Sequence, residues 1–435
     1  MAKIIGIRRE DKNEWERRTP LVPSDMSVLV NEHDIGFKLQ PFPKRSYSRD
    51  EYEAVGATFD ESLGNCSVIF GIKEMPDDFF REGLTYCFFA HVIKGQDYNM
   101  PMLTKLLKKK CTLIDYERIV DDRGFRLVFF GNEAGLAGML DTLWMLGRKL
   151  DNSGIGNPFS AANYALDYEN LQNAEGLLRG IGKEISENGL PDELHPVVVG
   201  FAGYGNVSRG AQQVLDFLPV KKITPEELLN PPEGLFKSKN HVYKVVFKEE
   251  DMVEPVDSSK PFELQDYYDN PENYQGVFEK YVPRLTVLMN CIYWTPDYPR
   301  LVTRKLIEKI YSEPNPKLQA IGDISIDVEG AIEISVKATD SGNPVYVYDV
   351  EKNEAIDGVE GNGPVILAVD NLPCELPREA SASFSEKLVR FIPSIANADF
   401  SVEYDNLKLP PPLKRAVICH QGRLTPDYEY LSENL

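Results

Sequence analysis

The chain has 435 residues and a formal net charge of −20, so it is longer than one core usually organises and too acidic to hold nucleic acid or an anionic membrane through its overall field. Hydrophobic residues make up 42% of it, enough for packed cores in two or three domains. Its six cysteines, Cys66, Cys87, Cys111, Cys291, Cys374 and Cys419, show neither CxxC pairing nor Cys/His ligand spacing, which argues against a disulfide framework, a structural zinc site or any other metal.

The sequence opens directly on the strand-like Lys3-Ile-Ile-Gly-Ile-Arg8, with no signal peptide, and no apolar run is long enough to span a bilayer. A cytoplasmic protein with free, buried thiols is expected. Residues 1 to about 130 alternate short apolar runs with amphipathic segments, the pattern of an α/β domain. Strands are expected at 4–7, 67–72, 86–90 and 112–114, and helices at 24–32, 49–55 and 102–109. This half has no glycine fingerprint and is assigned to substrate. A leucine-spaced helix follows at 136–150, with Gly131 and Gly135 marking its start. Residues 151–162 read as loop and 168–185 as a second helix.

Pro196-Val-Val-Val-Gly-Phe-Ala-Gly-Tyr-Gly-Asn-Val-Ser-Arg-Gly210 then reads as a buried strand, a glycine turn and a helix start in one run. Its pattern is G-x-G-x-x-x-x-G, with Gly210 later than the strict dinucleotide fingerprint places its third glycine. Such a unit points bare backbone N–H groups at a helix N-terminus, where the macrodipole favours a pyrophosphate. Val220-Lys-Lys-Ile-Thr224 is the expected second strand, and Thr224-Pro-Glu-Glu227 a capping box opening a helix. No carboxylate ends that strand to take ribose hydroxyls. Lys221 and Lys222 stand there instead, ready to meet a 2′-phosphate or simply to be solvated. NADP(H) is therefore favoured, with NAD(H) as the alternative. Residues 231–284, rich in Pro, Asp, Glu and Tyr, read as an inserted excursion without chemistry. Strand character returns at 285–293, 320–326 and 364–370, each run carrying a polar residue (Asn290, Asp323, Asp370), and 377–391 reads as a helix.

Several polar clusters in the first domain follow its strands. Arg17 and Arg18 offer planar forks for a dicarboxylic substrate, or serve as salt-bridge partners. Lys73-Glu74 closes a strand, where desolvation lowers a lysine pKa toward the range of a base, or the two form an ion pair. His91, one of five histidines, follows another strand together with Lys94 and Gln96 and suits acid–base work near neutrality.

Arg8-Arg-Glu-Asp-Lys-Asn-Glu-Trp-Glu-Arg-Arg-Thr-Pro-Leu-Val-Pro23, Gly71-Ile-Lys-Glu74, Phe88-Phe-Ala-His-Val-Ile-Lys-Gly-Gln96 and Leu113-Ile-Asp-Tyr-Glu117 resemble the lysine–2-oxoglutarate reductase domain of aminoadipic semialdehyde synthase. Asn290-Cys-Ile-Tyr-Trp-Thr-Pro296, Asp370-Asn-Leu-Pro373, Leu376-Pro-Arg-Glu-Ala380 and Leu424-Thr-Pro-Asp-Tyr-Glu-Tyr430 continue the likeness, which extends more distantly to lysine-forming saccharopine dehydrogenase and, by fold, to alanine dehydrogenase and the transhydrogenases.

The resemblance implies two Rossmann-like, doubly wound α/β domains with an interdomain cleft: a substrate domain at 1–132 plus 378–435, and an NAD(P)-binding domain at 133–377. It implies reversible reductive condensation of L-lysine with 2-oxoglutarate to saccharopine. Lys73 would be the base for the amine and His91 the acid–base at the carbinolamine. Arg18, Glu74, Lys94, Gln96, Glu117 and Arg126 would line the substrate site, with Arg18 on a carboxylate and Glu74 and Glu117 tuning Lys73 and His91. Gly203, Gly205, Asn206, Val207 and Gly210 would hold the cofactor phosphates, with Cys291 and Asp370 near the nicotinamide. The bifunctional relatives continue into a saccharopine-oxidising domain, so a separate enzyme of that kind is expected as partner.

Overall fold

In the computed structural model, which describes residues 3–435, the chain divides into unit 1, Met1–Phe130 with Pro377–Leu435, and unit 2, Gly131–Leu376. Unit 1 is built on six parallel strands: β1 (Lys3–Ile7), β2 (Ile35–Leu39), β3 (Thr58–Phe59), β4 (Val68–Phe70), β5 (Thr85–Phe88) and β6 (Thr112–Asp115). Their order is β3-β2-β1-β4-β5-β6, and Val417–His420 and Arg423–Leu424 extend the sheet antiparallel beyond β6. Every residue of β4, β5 and β6 is buried, as expected of parallel strands covered on both faces. β2 alternates buried and half-buried positions with only three apolar residues, a weak signal that escapes a reading by apolar runs. Helix α1 (Pro23–His33) begins with proline in its first turn, and α2 (Met100–Lys108) buries Met100, Leu103 and Leu106 at helical spacing. The strand order reverses between β1 and β4, so the loops leaving their carboxyl ends diverge and open a crevice, the usual ligand position of an open α/β sheet.

Unit 2 opens with α3 (Gly131–Asn152) and α4 (Leu171–Asn188), followed by β7 (Val198–Ala202), α5 (Asn206–Leu215), β8 (Val220–Lys222) and β9 (Val242–Phe247). An antiparallel pair, β10 (Val253–Pro255) and β11 (Tyr274–Gly276), flanks the short helix α6 (Leu264–Asp269). The sheet resumes with β12 (Val287–Asn290), β13 (Ala320–Asp323), β14 (Val345–Asp349), β15 (Glu354–Asp357) and β16 (Val365–Leu367). The order is β8-β9-β7-β12-β13-β16-β14-β15, parallel from β8 to β16 and closed by the antiparallel β14–β15 hairpin. Both units are thus α/β and Rossmann-like.

One expectation fails in this sheet. β8 exists where it is expected, but it does not lie beside the glycine strand. β9 does, pairing Val198 with Tyr243 through Ala202 with Phe247. Val242-Tyr-Lys-Val-Val-Phe247 lies within the stretch that reads as an excursion, because prolines and acidic residues surround it. Its β-branched and aromatic residues nevertheless fill the sheet centre, with Val242, Tyr243, Val245 and Phe247 buried.

The helix contact that seats α5 is unusually close. A Cβ built on Gly210 would lie 2.0 Å from the Asn132 carbonyl oxygen, and one on Gly135 would lie 1.9 Å from that of Val207. Gly210 therefore serves the packing of α5 on α3 and does not reach the glycine turn, contrary to its expected place on the phosphates.

Candidate active site

The crevice of unit 1 is built from three segments that leave β1, β4 and β5. Glu10, three residues past β1, is buried, and its carboxylate accepts the backbone N–H groups of Ile72 at 2.7 Å and Lys73 at 3.0 Å. It thereby fixes the turn after β4 that carries Lys73. Burial, with the nearby Glu16 charge, raises the Glu10 carboxyl to about 7 against the pull of those two N–H groups. The Lys73 amine is half-buried, and desolvation together with the adjacent Arg18 guanidinium pushes its pKa below the ordinary lysine value. His91 follows β5 in a left-handed backbone conformation, φ 49°, which turns its ring back toward β4. There Nδ1 lies 2.7 Å from Glu74 Oε1, while Lys12 donates to Glu74 Oε2 at 2.6 Å. Burial alone would raise Glu74, but the hydrogen bond and charge of His91 and the bond from Lys12 outweigh it and bring the carboxyl down to about 2.

The other expected substrate residues are arranged unequally. Arg18 is only 2% exposed. Its Nε and one terminal nitrogen grip Glu16 at 2.7 and 2.5 Å, and its guanidinium lies 4.3 Å over the Phe130 ring. The fork expected to meet a substrate carboxylate is thus turned on Glu16, and its charge helps lower the Lys73 pKa. Lys94 is exposed, whereas Gln96 keeps Oε1 buried with no hydrogen-bond partner among the described residues, an acceptor suited to a substrate ammonium. Tyr430 donates to the Ile93 carbonyl at 2.6 Å, so the C-terminal turn holds the loop carrying both. Glu117 is paired with the exposed Arg126 at the end of β6.

Asp115, with Glu10 and Glu16, went unassigned from the sequence, because only the fold shows that it ends β6 inside the core. It is fully buried, its Oδ1 accepts the Glu117 N–H at 2.9 Å, and burial raises its pKa to about 7. Since the folded pKa lies above the unfolded value of about 3.9, its contribution is fully present below that value and stability is lost as pH rises through 7. The isosteric Asp115→Asn protein should therefore match the wild type in thermal melting only at or below about pH 3.9, the difference opening as pH rises from there toward 7. It should gain stability over it by pH 8, on the order of 2–4 kcal/mol. An equal pH slope in the two proteins would refute this.

In unit 2 the glycine turn leaves β7 at the strand-order reversal between β7 and β12. Gly203 has φ 93°, and a Cβ there would meet Ile292 Cγ2 at 3.0 Å and the Cys291 carbonyl oxygen at 3.2 Å, so only glycine fits. Gly205 caps α5 with no side-chain hydrogen bond, and a Cβ on it would meet nothing within 4 Å. The first-turn N–H groups of Asn206 and Val207 belong to this dipole-positive helix end, the kind of cradle a pyrophosphate needs. Ser208, buried, takes the place of the third fingerprint glycine. Cys291 is buried beside the turn, and burial pushes its thiol far up. Asp370 is exposed after β16. Neighbouring strand ends are tied by Asn290, which donates to Asp323 at 2.7 Å.

The lysines expected to greet a 2′-phosphate are misplaced for it. Lys222 pairs in register with Lys244, three residues short of the end of β9, so it lies about 10 Å below the carboxyl edge and one strand farther out. Lys221 lies over the Tyr243 ring, 5.9 Å from its centroid. Among the described residues no group of three or more His, Cys, Asp or Glu could hold a metal ion, and no helix is long and apolar enough to cross a membrane. All six cysteines are buried, and none forms a disulfide among the described residues.

Comparison with known proteins agrees with this architecture. The alanine dehydrogenase/PNT N-terminal domain matches residues 6–137, and the C-terminal domain of the same family matches residues 272–427. The chain is 37% identical over 446 residues to alpha-aminoadipic semialdehyde synthase of Arabidopsis thaliana, covering 98% of this chain and 41% of that protein. It is 34% identical to the mitochondrial enzyme of that name from Rattus norvegicus, covering 99% and 48%. The chain thus spans less than half the length of these relatives. Saccharopine dehydrogenase [NAD(+), L-lysine-forming] of Neurospora crassa is 24% identical over 89% of both chains. Among solved structures, L-alanine dehydrogenase superposes with TM-score 0.61 at 17% identity over 99% of both chains. The Sinorhizobium meliloti transhydrogenase gives 0.52 at 13% identity over 97% of this chain and 99% of that one. These two show the fold.

Proposed function

Because the chain belongs to the alanine dehydrogenase/PNT family, whose two domains both match it, we propose that it is a nicotinamide-dinucleotide oxidoreductase of lysine metabolism, joining L-lysine and 2-oxoglutarate reductively into saccharopine and splitting it in reverse. The observation that carries the reading is the pairing of a half-buried lysine of lowered pKa with a carboxylate-held histidine at adjacent strand ends, Lys73 after β4 and His91 after β5. Unit 1 supplies the acid–base groups, and the glycine turn of unit 2 holds the dinucleotide.

A lysine ε-ammonium must lose a proton before its nitrogen can attack the 2-oxoglutarate ketone. The Lys73 amine, its charged form disfavoured by desolvation and by Arg18, takes that proton. The carbinolamine then loses its hydroxyl as water, which needs a proton at that oxygen. With Glu74 ionised, Nδ1 of His91 donates to Oε1, so Nε2 is the nitrogen left to move that proton, and the carboxylate stabilises the imidazolium. When bound, the dinucleotide supplies the hydride that reduces the imine carbon. Gln96 Oε1 offers an acceptor for an ammonium of the substrate. The six buried thiols fit a reducing compartment, and the cytoplasm is the proposed setting. A separate saccharopine-oxidising enzyme would draw the reaction toward lysine breakdown.

Initial rates of reduced-nucleotide consumption test the reading. Consumption that requires lysine and 2-oxoglutarate together supports it. Consumption with pyruvate and ammonium instead would make the chain an alanine dehydrogenase, and none with either pair would overturn the proposal.

A further inference from the structure

Unit 2 holds a cavity of about 540 Å³ at the end of its sheet opposite the glycine turn. The walls include Gln319, just before β13, and Gly361, Asn362 and Gly363, just before β16, so the cavity lies at the amino ends of these strands. Both run parallel to β7, whose carboxyl end carries the turn. The walls are held by the protein itself. A Cβ on Gly363 would lie 1.8 Å from the Tyr348 carbonyl oxygen, and the Tyr311 hydroxyl donates to the Leu318 carbonyl at 2.6 Å. Lys149, in the last turn of α3, forms the floor. It is 6% exposed, and its ammonium donates to the carbonyls of Val359 at 3.2 Å and Gly361 at 2.8 Å, which leaves one N–H group for a ligand. Lys317 stands exposed at the mouth, its ammonium 3.4 Å from the His195 carbonyl. Among the described residues neither lysine forms an ion pair. Desolvation lowers the pKa of both, that of Lys149 to about 8 against the pull of the Asp349 charge. Glu193, the one acid on the wall, is exposed.

We propose that this cavity is a second ligand site, which binds a small oxyanion, a carboxylate or a phosphate, between the Lys149 and Lys317 ammonium groups. Withdrawing an ammonium from water without a counter-charge is costly, and an anion seated on it offsets that cost. The chain carries a net charge of −20, so two cations without an acidic partner at one cavity run against its composition. The Asn315 amide, also on the wall, adds a neutral donor. The volume suits a small metabolite and excludes a macromolecule. The ligand would also bear on the opposite end of the sheet through α3. Gly135, about 21 Å back along that helix, is where α5 is seated, so an anion on Lys149 braces the helix that supports the glycine turn's own helix. The proposal is independent of the acid–base groups of unit 1 and of the reading of the glycine turn.

Calorimetric titration of the full chain with inorganic phosphate and, separately, with glutarate, at fixed ionic strength in chloride, tests it. The wild type should bind at least one of the two at a single site. Lys149→Met should weaken that binding about tenfold or more, and Lys317→Gln should weaken it severalfold with an unchanged melting temperature. Binding of phosphate alone assigns a phosphate ligand, binding of glutarate alone a carboxylate, and binding of both the shared oxyanion chemistry. No binding to the wild type overturns the proposal. Binding that survives both substitutions unchanged belongs elsewhere in the chain, at the substrate or pyrophosphate groups, and overturns it equally. Lys149 also holds two backbone carbonyls, so if Lys149→Met fails to fold the exposed Lys317→Gln decides alone, and an unchanged affinity there overturns the site.

Discussion

Lys73→Met should lose reductive condensation by about two to four orders of magnitude in kcat while still binding reduced nucleotide as the wild type does. Methionine keeps the length and apolar stem of the side chain, so the turn after β4 stays in place. The backbone N–H of residue 73 continues to be held by Glu10, whatever the side chain. What disappears is the amine that takes the substrate proton. The pH dependence gives a second readout. Lys73 works in its neutral form, so the wild-type rate should rise with pH through the lowered lysine pKa, and that acid-side limb should vanish in the variant. His91→Gln should lose about as much, because glutamine can occupy the site beside Glu74 but cannot carry a proton to the departing hydroxyl. Near-normal kinetics in either variant would remove that residue from the mechanism.

Gly210→Ala should cost unit 2 about 3 kcal/mol or more. The added Cβ would stand 2.0 Å from the Asn132 carbonyl oxygen and 3.0 Å from the Leu136 backbone nitrogen, and neither can rotate aside. The helices α3 and α5 would have to separate, opening the buried seam between them. Gly205→Ala is the informative contrast. The backbone at Gly205 has φ −72°, accessible to alanine, and its Cβ meets nothing in the protein. That variant should melt with the wild type yet bind reduced nucleotide at least about tenfold more weakly, because its methyl enters the pyrophosphate cradle. Chemical denaturation and nucleotide titration of both proteins separate a glycine kept for packing from one kept for a ligand.

The parts of the molecule legible in the sequence are those encoded locally. The run from Val197 to Gly210 carries its strand, turn and helix in consecutive residues, and the runs at β1, β4, β5 and β6 announce buried strands by composition alone. Partner choice is a different matter. Nothing near Val220 or Val242 says which of them lies beside β7, because that is decided by which run can be buried on both faces. Val242–Phe247 is buried almost throughout, whereas β8 has two exposed lysines and can only be an edge. The strand order also bears on the chemistry, since an argument about the coenzyme depends on whose end meets the ribose. The same holds in unit 1. Lys73 and His91 stand out as polar residues closing apolar runs, but Glu10 gains its meaning only when β1 and β4 are seen side by side, and the adjacent arginines at 17 and 18 give no hint that the second is buried against Glu16.

The most direct test is the product itself. Lysine, 2-oxoglutarate and reduced nucleotide are incubated with the wild type and with a Lys73→Met, His91→Gln double variant shown to bind nucleotide, and the mixtures are analysed by mass spectrometry. The account predicts stoichiometric saccharopine from the wild type and none above background from the variant. No saccharopine from the wild type, or equal amounts from both proteins, would contradict it.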